Sequence, residues 1–175
     1  MNTFKMLRKF LDRLYLFFGY IGAFFLIIIL ALICLQVVSR WAGFVILPGS
    51  IEYIGYSMAA STFFCLAYAL NSGTHIRVDL ISSKTSGLTK KFLIFFCLAF
   101  SLAISVYFSY HTLNNVFISH MINDISQGED ATPLWIPQIV TPVGAILLSI
   151  ALTDQLLTFL FTGNCVLLEE GSGHE

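Results

Sequence analysis

The sequence predicts an all-α integral membrane protein of four transmembrane helices with both the N- and C-termini cytoplasmic, and three observations carry that expectation. Four long runs, Leu14–Ser39, Tyr53–Ile76, Phe92–Asn123 and Ala131–Thr153, contain no Asp, Glu, Lys or Arg. Each is longer than the ~20 residues that an α-helix needs to cross ~30 Å of hydrocarbon. If those runs are spans, Lys5, Arg8, Lys9, Arg13, Arg77, Lys84, Lys90 and Lys91 share one side, and Arg40 alone takes the other. An excess of Lys and Arg in short loops near span ends marks the cytoplasmic side. Composition agrees: 57% of the chain is hydrophobic and 11% charged, whereas soluble domains are about 25% charged.

Residues 1–13 form a basic amphipathic segment, with Phe4, Leu7, Leu11 and Leu14 at helical spacing against Lys5, Arg8, Lys9 and Arg13. Two readings stay open for it: a short helix along the inner membrane surface, or a fraying basic tail. The membrane domain, 14–161, has spans at about 14–39, 52–71, 91–121 and 133–160. The first apolar stretch exceeds the 7–15 residues of a signal h-region and no A-x-A-like cleavage site follows, so a retained anchor is expected. It ends at Arg40-Trp41, and Gly43, Pro48 and Gly49 mark an outer turn. The second span closes at Asn71-Ser72-Gly73, before a hydrophilic cytoplasmic connection, Thr74–Lys91. The third run is too long to lie wholly in hydrocarbon, so it must tilt or project outside, where it carries His111, Asn114, Asn115, Ser119 and His120. An acidic outer loop, Asn123–Asp130, leads to Pro133-Leu134-Trp135, where the fourth helix opens, with Pro137 and Pro142 placed to bend it. Residues 162–175 are a polar, acidic tail.

These spans leave almost nothing over for a soluble catalytic domain, so no enzyme activity is expected. No basic patch with interleaved aromatics points to nucleic acid; the basic clusters instead suit anionic membrane lipids. Cys34, Cys65, Cys97 and Cys165 form no C-x-x-C pair and read as small buried residues rather than a disulfide or metal framework. No two histidines stand at one depth on facing helices, as a haem pair would require, so no cofactor is expected. Each span offers small residues at helical spacing for close helix contact: Gly19 and Ala23; Gly55 with Ala59, and Ser57, Ser61, Cys65; Ser101, Ser105, Ser109; Ala145, Ser149, Thr153.

Charged groups in or beside spans are candidates for function, since one at mid-bilayer costs about 2.5–3.5 kcal/mol on insertion scales. Arg40 ends the first span and Glu52 begins the second, so a salt bridge between them would fix the first hairpin; the alternative is contact with a partner on the outer side. Asp154 lies about 28 Å of helix beyond Trp135, near the cytoplasmic face and within reach of Arg13, Lys90 or Lys91 as an ion pair. No span carries a central carboxylate, which leaves little for a self-sufficient ion-coupled pump.

The order of these features resembles the small membrane subunit, often called Q, of tripartite ATP-independent periplasmic (TRAP) transporters. The resemblance runs from the first span to Asp154. It rests on Arg40 and Glu52 across the outer turn, Asn71-Ser72-Gly73-Thr74-His75-Ile76-Arg77-Val78-Asp79 after the second span, and the acidic loop running into Pro133-Leu134-Trp135-Ile136-Pro137 and Pro142-Val143-Gly144. It implies a bacterial inner-membrane scaffold that braces a large membrane subunit and helps dock a periplasmic substrate-binding protein. The large subunit would import a small organic anion, such as a C4-dicarboxylate, sialic acid or another carboxylate, on a sodium or proton gradient. Arg40, Glu52, His75, Arg77, Asp79, Pro133, Trp135, Pro137 and Pro142 are then the structural and partner-contact residues. His75, Arg77 and Asp79 would order the cytoplasmic connection, and the outer loop with Trp135 would meet a partner. Two rivals are an autonomous four-helix transporter and the membrane anchor of a redox enzyme.

Overall fold

The structure, a computed structural model, describes residues 2–43, 49–72, 88–126 and 131–162. Five helices occur among them: α1 (Asn2–Ala42), α2 (Ser50–Asn71), α3 (Leu88–Met121), the single turn α4 (Trp135–Gln138) and α5 (Val140–Thr162). Four segments are long and apolar enough to cross a membrane: Arg8–Ala42, Ser50–Asn71, Lys91–Met121 and Trp135–Leu160. The chain is therefore all-α and four-spanning.

The basic amphipathic turns and the first span are one unbroken helix of 41 residues, about 60 Å long. No Gly or Pro falls before Gly19, so nothing interrupts the hydrogen-bond ladder where the chain passes from polar to apolar. Gly43 (φ 75°) ends that helix and Gly49 (φ 71°) opens α2, both in the left-handed region that glycine adopts without a Cβ clash. α3 ends on Asn123 (φ 50°). There the Asn123 N–H bonds the His120 carbonyl at 3.3 Å and the Asp124 N–H bonds the Ser119 carbonyl at 3.0 Å, the paired bonds of a Schellman stop.

The bend expected of Pro137 and Pro142 takes a definite form. The fourth span is divided at Ile139 into α4 and α5, although Ile139 keeps helical dihedrals (φ −57°, ψ −31°). Pro142 has no N–H to return to the Gln138 carbonyl, which interrupts the ladder without turning the chain out of the helical region.

α2 and α5 are the central pair: α1 packs on α2, α2 on α5, and α5 on α3. The core gathers Tyr15 of α1, Ala67 and Leu70 of α2, Ile94 and Leu98 of α3, and Leu147, Ala151, Leu152 and Phe159 of α5. These positions lie in the half of the bundle nearest Arg8, Lys9, Arg13 and Lys91, called here the basic end; Arg40 and Glu52 mark the opposite, Glu52 end.

Small residues permit the close approaches, but not all of those expected. A Cβ on Gly22 would clash with the Cys65 Sγ, one on Gly19 would stand 2.9 Å from the Tyr68 ring, and one on Gly144 2.6 Å from the Phe63 carbonyl oxygen. Gly55 faces open space and Ala23 and Ser101 are exposed, so those three do not bring helices together. Between α3 and α5 the contact is polar. The hydroxyls of Ser105 and Ser149 lie 2.8 Å apart and those of Ser109 and Ser149 3.3 Å apart.

Candidate functional site

Polar side chains concentrate at the two ends of the bundle, where the cost of holding them falls away. At the Glu52 end, the carboxylate of Glu52 accepts hydrogen bonds from the hydroxyls of Ser126 and Tyr56, the latter at 3.3 Å. The Tyr56 hydroxyl also lies 3.3 Å from that of Ser126. Tyr56 stands one turn beyond Glu52 on α2, so the two meet by helical spacing alone. Ser126 arrives from more than seventy residues away. It is delivered by a short closure of the loop between α3 and α4: an isolated antiparallel bridge pairs Ile125 with Pro133. The Ser126 N–H bonds the Thr132 carbonyl at 2.8 Å, and the Leu134 N–H bonds the Asp124 carbonyl at 3.0 Å.

The expected Arg40–Glu52 salt bridge is a correction. Among the described residues no ion pair joins them; Arg40 is exposed in the last turn of α1, where a cation suits the helix dipole. Glu52 instead turns towards the loop because two hydroxyl donors there satisfy its carboxylate locally.

Pro133 supplies one side of the loop bridge, and its carbonyl accepts the Ile136 N–H at 3.2 Å. Trp135 is half-buried and meets the His120 ring edge-on, centroids 5.2 Å apart. Pro137 is half-buried beside it, and Pro142 is fully buried within the bundle. His111 stacks obliquely on Tyr107 at 4.3 Å and is exposed; Asn114 and Asn115 are exposed too, whereas Ser119 is 4% exposed. The polar stripe of α3 thus faces outward for most of its length. His75, Arg77 and Asp79 lie outside the described residues, as do Lys84 and the acidic pair Glu129 and Asp130.

At the basic end Asp154 is half-buried. Among the described residues neither Arg13 nor Lys91 forms an ion pair with it; both are exposed. Among the described residues, the cation Arg8 and the anion Asp12 act on it electrostatically. The Asp12 carboxylate accepts a hydrogen bond from the Asn71 side chain at 3.2 Å, tying α1 to the end of α2. Tyr15, 1% exposed, and Gln155, 3% exposed, each bury a polar oxygen that has no hydrogen-bond partner among the described residues.

Asp154 also lines an open groove of about 430 Å³. Val106 and Ser109 of α3 form one wall; the α5 stripe Ile146, Ser149, Ile150, Thr153, Asp154 and Leu157 forms the floor; Leu11 of α1 closes the basic end. The Thr153 hydroxyl bonds the Ser149 carbonyl inside α5, and the Ser149 hydroxyl is shared between the Ala145 carbonyl and the hydroxyls of Ser105 and Ser109.

Sequence reasoning placed Glu52, Trp135 and Asp154 at polar ends and named Arg8 and Asn71 without their partners, and it did not single out Tyr56 or Ser126. Tyr56 was findable from its four-residue spacing to Glu52; Ser126 was not, because nothing local predicts a pairing over that separation. No group of three or more His, Cys, Asp or Glu placed to hold a metal ion exists among the described residues.

Residues 29–162 match the family described as Tripartite ATP-independent periplasmic transporters, DctQ component. Comparison with curated proteins and with solved structures returns no match.

Proposed function

The chain belongs to the DctQ component family of tripartite ATP-independent periplasmic transporters, and from that premise we propose that it is the small scaffold subunit of a secondary-active importer of a small organic anion. In this reading it sits in the bacterial inner membrane with both termini in the cytoplasm. It stays beside a large membrane subunit that moves the substrate by symport, and it helps dock the periplasmic substrate-binding protein at the Glu52 end.

The family match over residues 29–162 carries the reading. Two features of the fold support a bracing role. α1 flanks the bundle and leaves Phe24, Ile27, Leu30, Val37 and Val38 more than half exposed along one long helix. The outer loop is anchored to α2 through Glu52, Tyr56 and Ser126, which holds Trp135 on a fixed platform for a partner.

Affinity purification of the chain from its native host in mild detergent, followed by mass spectrometry, tests this directly. A large polytopic membrane protein in roughly stoichiometric amount is the expected companion. A clean homo-oligomer would overturn the scaffold reading in favour of an autonomous transporter, and a chain carrying a bound chromophore would favour a redox anchor.

A further inference from the structure

The groove on α5 has three properties that restrict what fills it. Its floor runs from Ile146 to Leu157, about 16 Å of helix, or roughly half of a ~30 Å hydrocarbon core. It begins at the basic end and stops near mid-membrane, so it spans one leaflet. It is open along its length, with a volume of about 430 Å³. A slot confined to one leaflet matches the reach of one hydrocarbon chain, whereas a partner helix crossing both leaflets would run on past its mid-membrane end. The walls suit a chain: Val106, Ile146, Ile150 and Leu157 present apolar surface, 52%, 37%, 39% and 42% exposed.

Asp154 is the charged residue of the groove lining, and charges of α1 act on it from beside the groove. Asp154 opens into it with no hydrogen-bond or ion-pair partner among the described residues. Arg8 and Asp12 of α1 both stand within electrostatic range of Asp154, Arg8 without ion-pair contact; the Asp12 carboxylate is held by Asn71, while Lys9 and Arg13 are exposed on the neighbouring turns of α1. A carboxylate beside hydrocarbon needs a donor, and a guanidinium at a membrane interface favours a phosphate, which it grips through two N–H groups. One head group supplies both: a phosphate for Arg8 and an ammonium bearing N–H donors for Asp154. An anionic head group without an ammonium would leave Asp154 facing like charge, and a quaternary ammonium has no N–H to donate.

We infer that the α3–α5 groove is a binding site for an aminophospholipid of the phosphatidylethanolamine class, with one acyl chain along Ile146–Leu157, the ammonium on Asp154 and the phosphate on Arg8. Such a lipid fills the slot, neutralises Asp154 in place and ties α1 to α5 at the end where the core is densest.

The test uses the full chain, purified with whatever membrane partner it retains, and native mass spectrometry with phosphatidylethanolamine, phosphatidylcholine and phosphatidylglycerol of matched acyl chains. Phosphatidylethanolamine is expected to be retained about tenfold better than the other two, the value of one charge-assisted hydrogen bond. Asp154→Asn, nearly isosteric, should abolish the preference for ethanolamine over choline. Arg8→Gln should lower retention of both zwitterionic lipids while leaving their ratio intact. Equal retention of the three lipids, or a preference that survives Asp154→Asn, overturns the assignment. A photocrosslinker on Val106→Cys, in a background with all four native cysteines replaced by serine, gives an independent reading even if Asp154→Asn fails to fold. Adducts of lipid mass support the site, and adducts confined to protein would assign the groove to a partner helix.

Discussion

Individual residues divide into those whose polar atoms are satisfied and those whose atoms are not, and their expected behaviour on substitution differs in sign. The Glu52 carboxylate holds two hydroxyls, one of them brought from the outer loop. Hydrogen bonds to a charged group are worth about 1.5–3 kcal/mol. Ser126→Ala should therefore cost about 1–2 kcal/mol and speed hydrogen exchange at residues 122–126, measured on the protein in detergent. Arg40→Gln touches no partner among the described residues and should stay within about 0.5 kcal/mol of the parent; a matching loss from both changes would restore the salt-bridge reading. Tyr15 is the opposite case. Its hydroxyl is buried with no hydrogen-bond partner among the described residues, and an unpaired buried hydroxyl carries a desolvation cost of about 1–3 kcal/mol. Tyr15→Phe keeps the ring and removes that cost, so thermal unfolding should move up or stay level. A marked fall would reveal a partner for the hydroxyl in the folded protein.

Between helices, the separation of the backbones decides which small residues matter. Lipid gives no hydrophobic drive for helix association, so packing depends on van der Waals contact at short range. Gly144 lies against the backbone of Phe63, where no side chain can swing aside, and a Cβ there would sit 2.6 Å from a carbonyl oxygen. Gly144→Ala should force α5 off α2 and cost about 1–3 kcal/mol, the range of overpacked cores. Gly55→Ala meets nothing within 4 Å, and exchanging an exposed helical glycine for alanine contributes about 1 kcal/mol of stability. The two variants should therefore shift the melting temperature in opposite directions. The same four-residue reading that found Gly55 and Ala59 found Ser105, Ser109 and Ser149, yet only the serines meet across an interface. Spacing identifies a face of a helix; it does not say which neighbour the face will find.

For the molecule as a whole, charge asymmetry predicts direction. Arg8, Lys9, Arg13 and Lys91 gather at one end of the described bundle, and Arg40 alone at the other. The positive-inside bias then places Lys9 in the cytoplasm and Asn114 outside. In a background with all four cysteines replaced by serine, an impermeant thiol reagent should label Asn114→Cys in intact cells once the outer envelope is permeabilised. Lys9→Cys should react only after the inner membrane is broken. The reverse pattern would invert the bundle, and with it the side on which the Glu52 end lies. Both exposed sites lie on helical backbone away from the packed core, so neither change should compromise folding.

The all-α class, the four membrane-length apolar helices and the asymmetry of charge were legible in the sequence, because each depends on local content: about twenty apolar residues, or a cluster of cations beside them. Family membership was legible too, from the ordered run Arg40, Glu52, His75-Ile76-Arg77-Val78-Asp79 and Pro133 to Pro142. The side-chain partnerships were not. Glu52 takes Ser126 rather than Arg40, Asp12 takes Asn71, and Asp154 opens on a groove whose walls come from α3 and α5. The sequence determined which segments enter the membrane, since hydrocarbon judges each by its own composition. Only the tertiary structure decided which polar groups face one another, since that depends on the order in which α1, α2, α5 and α3 pack, and residues far apart in the chain acquire their distances from that packing alone.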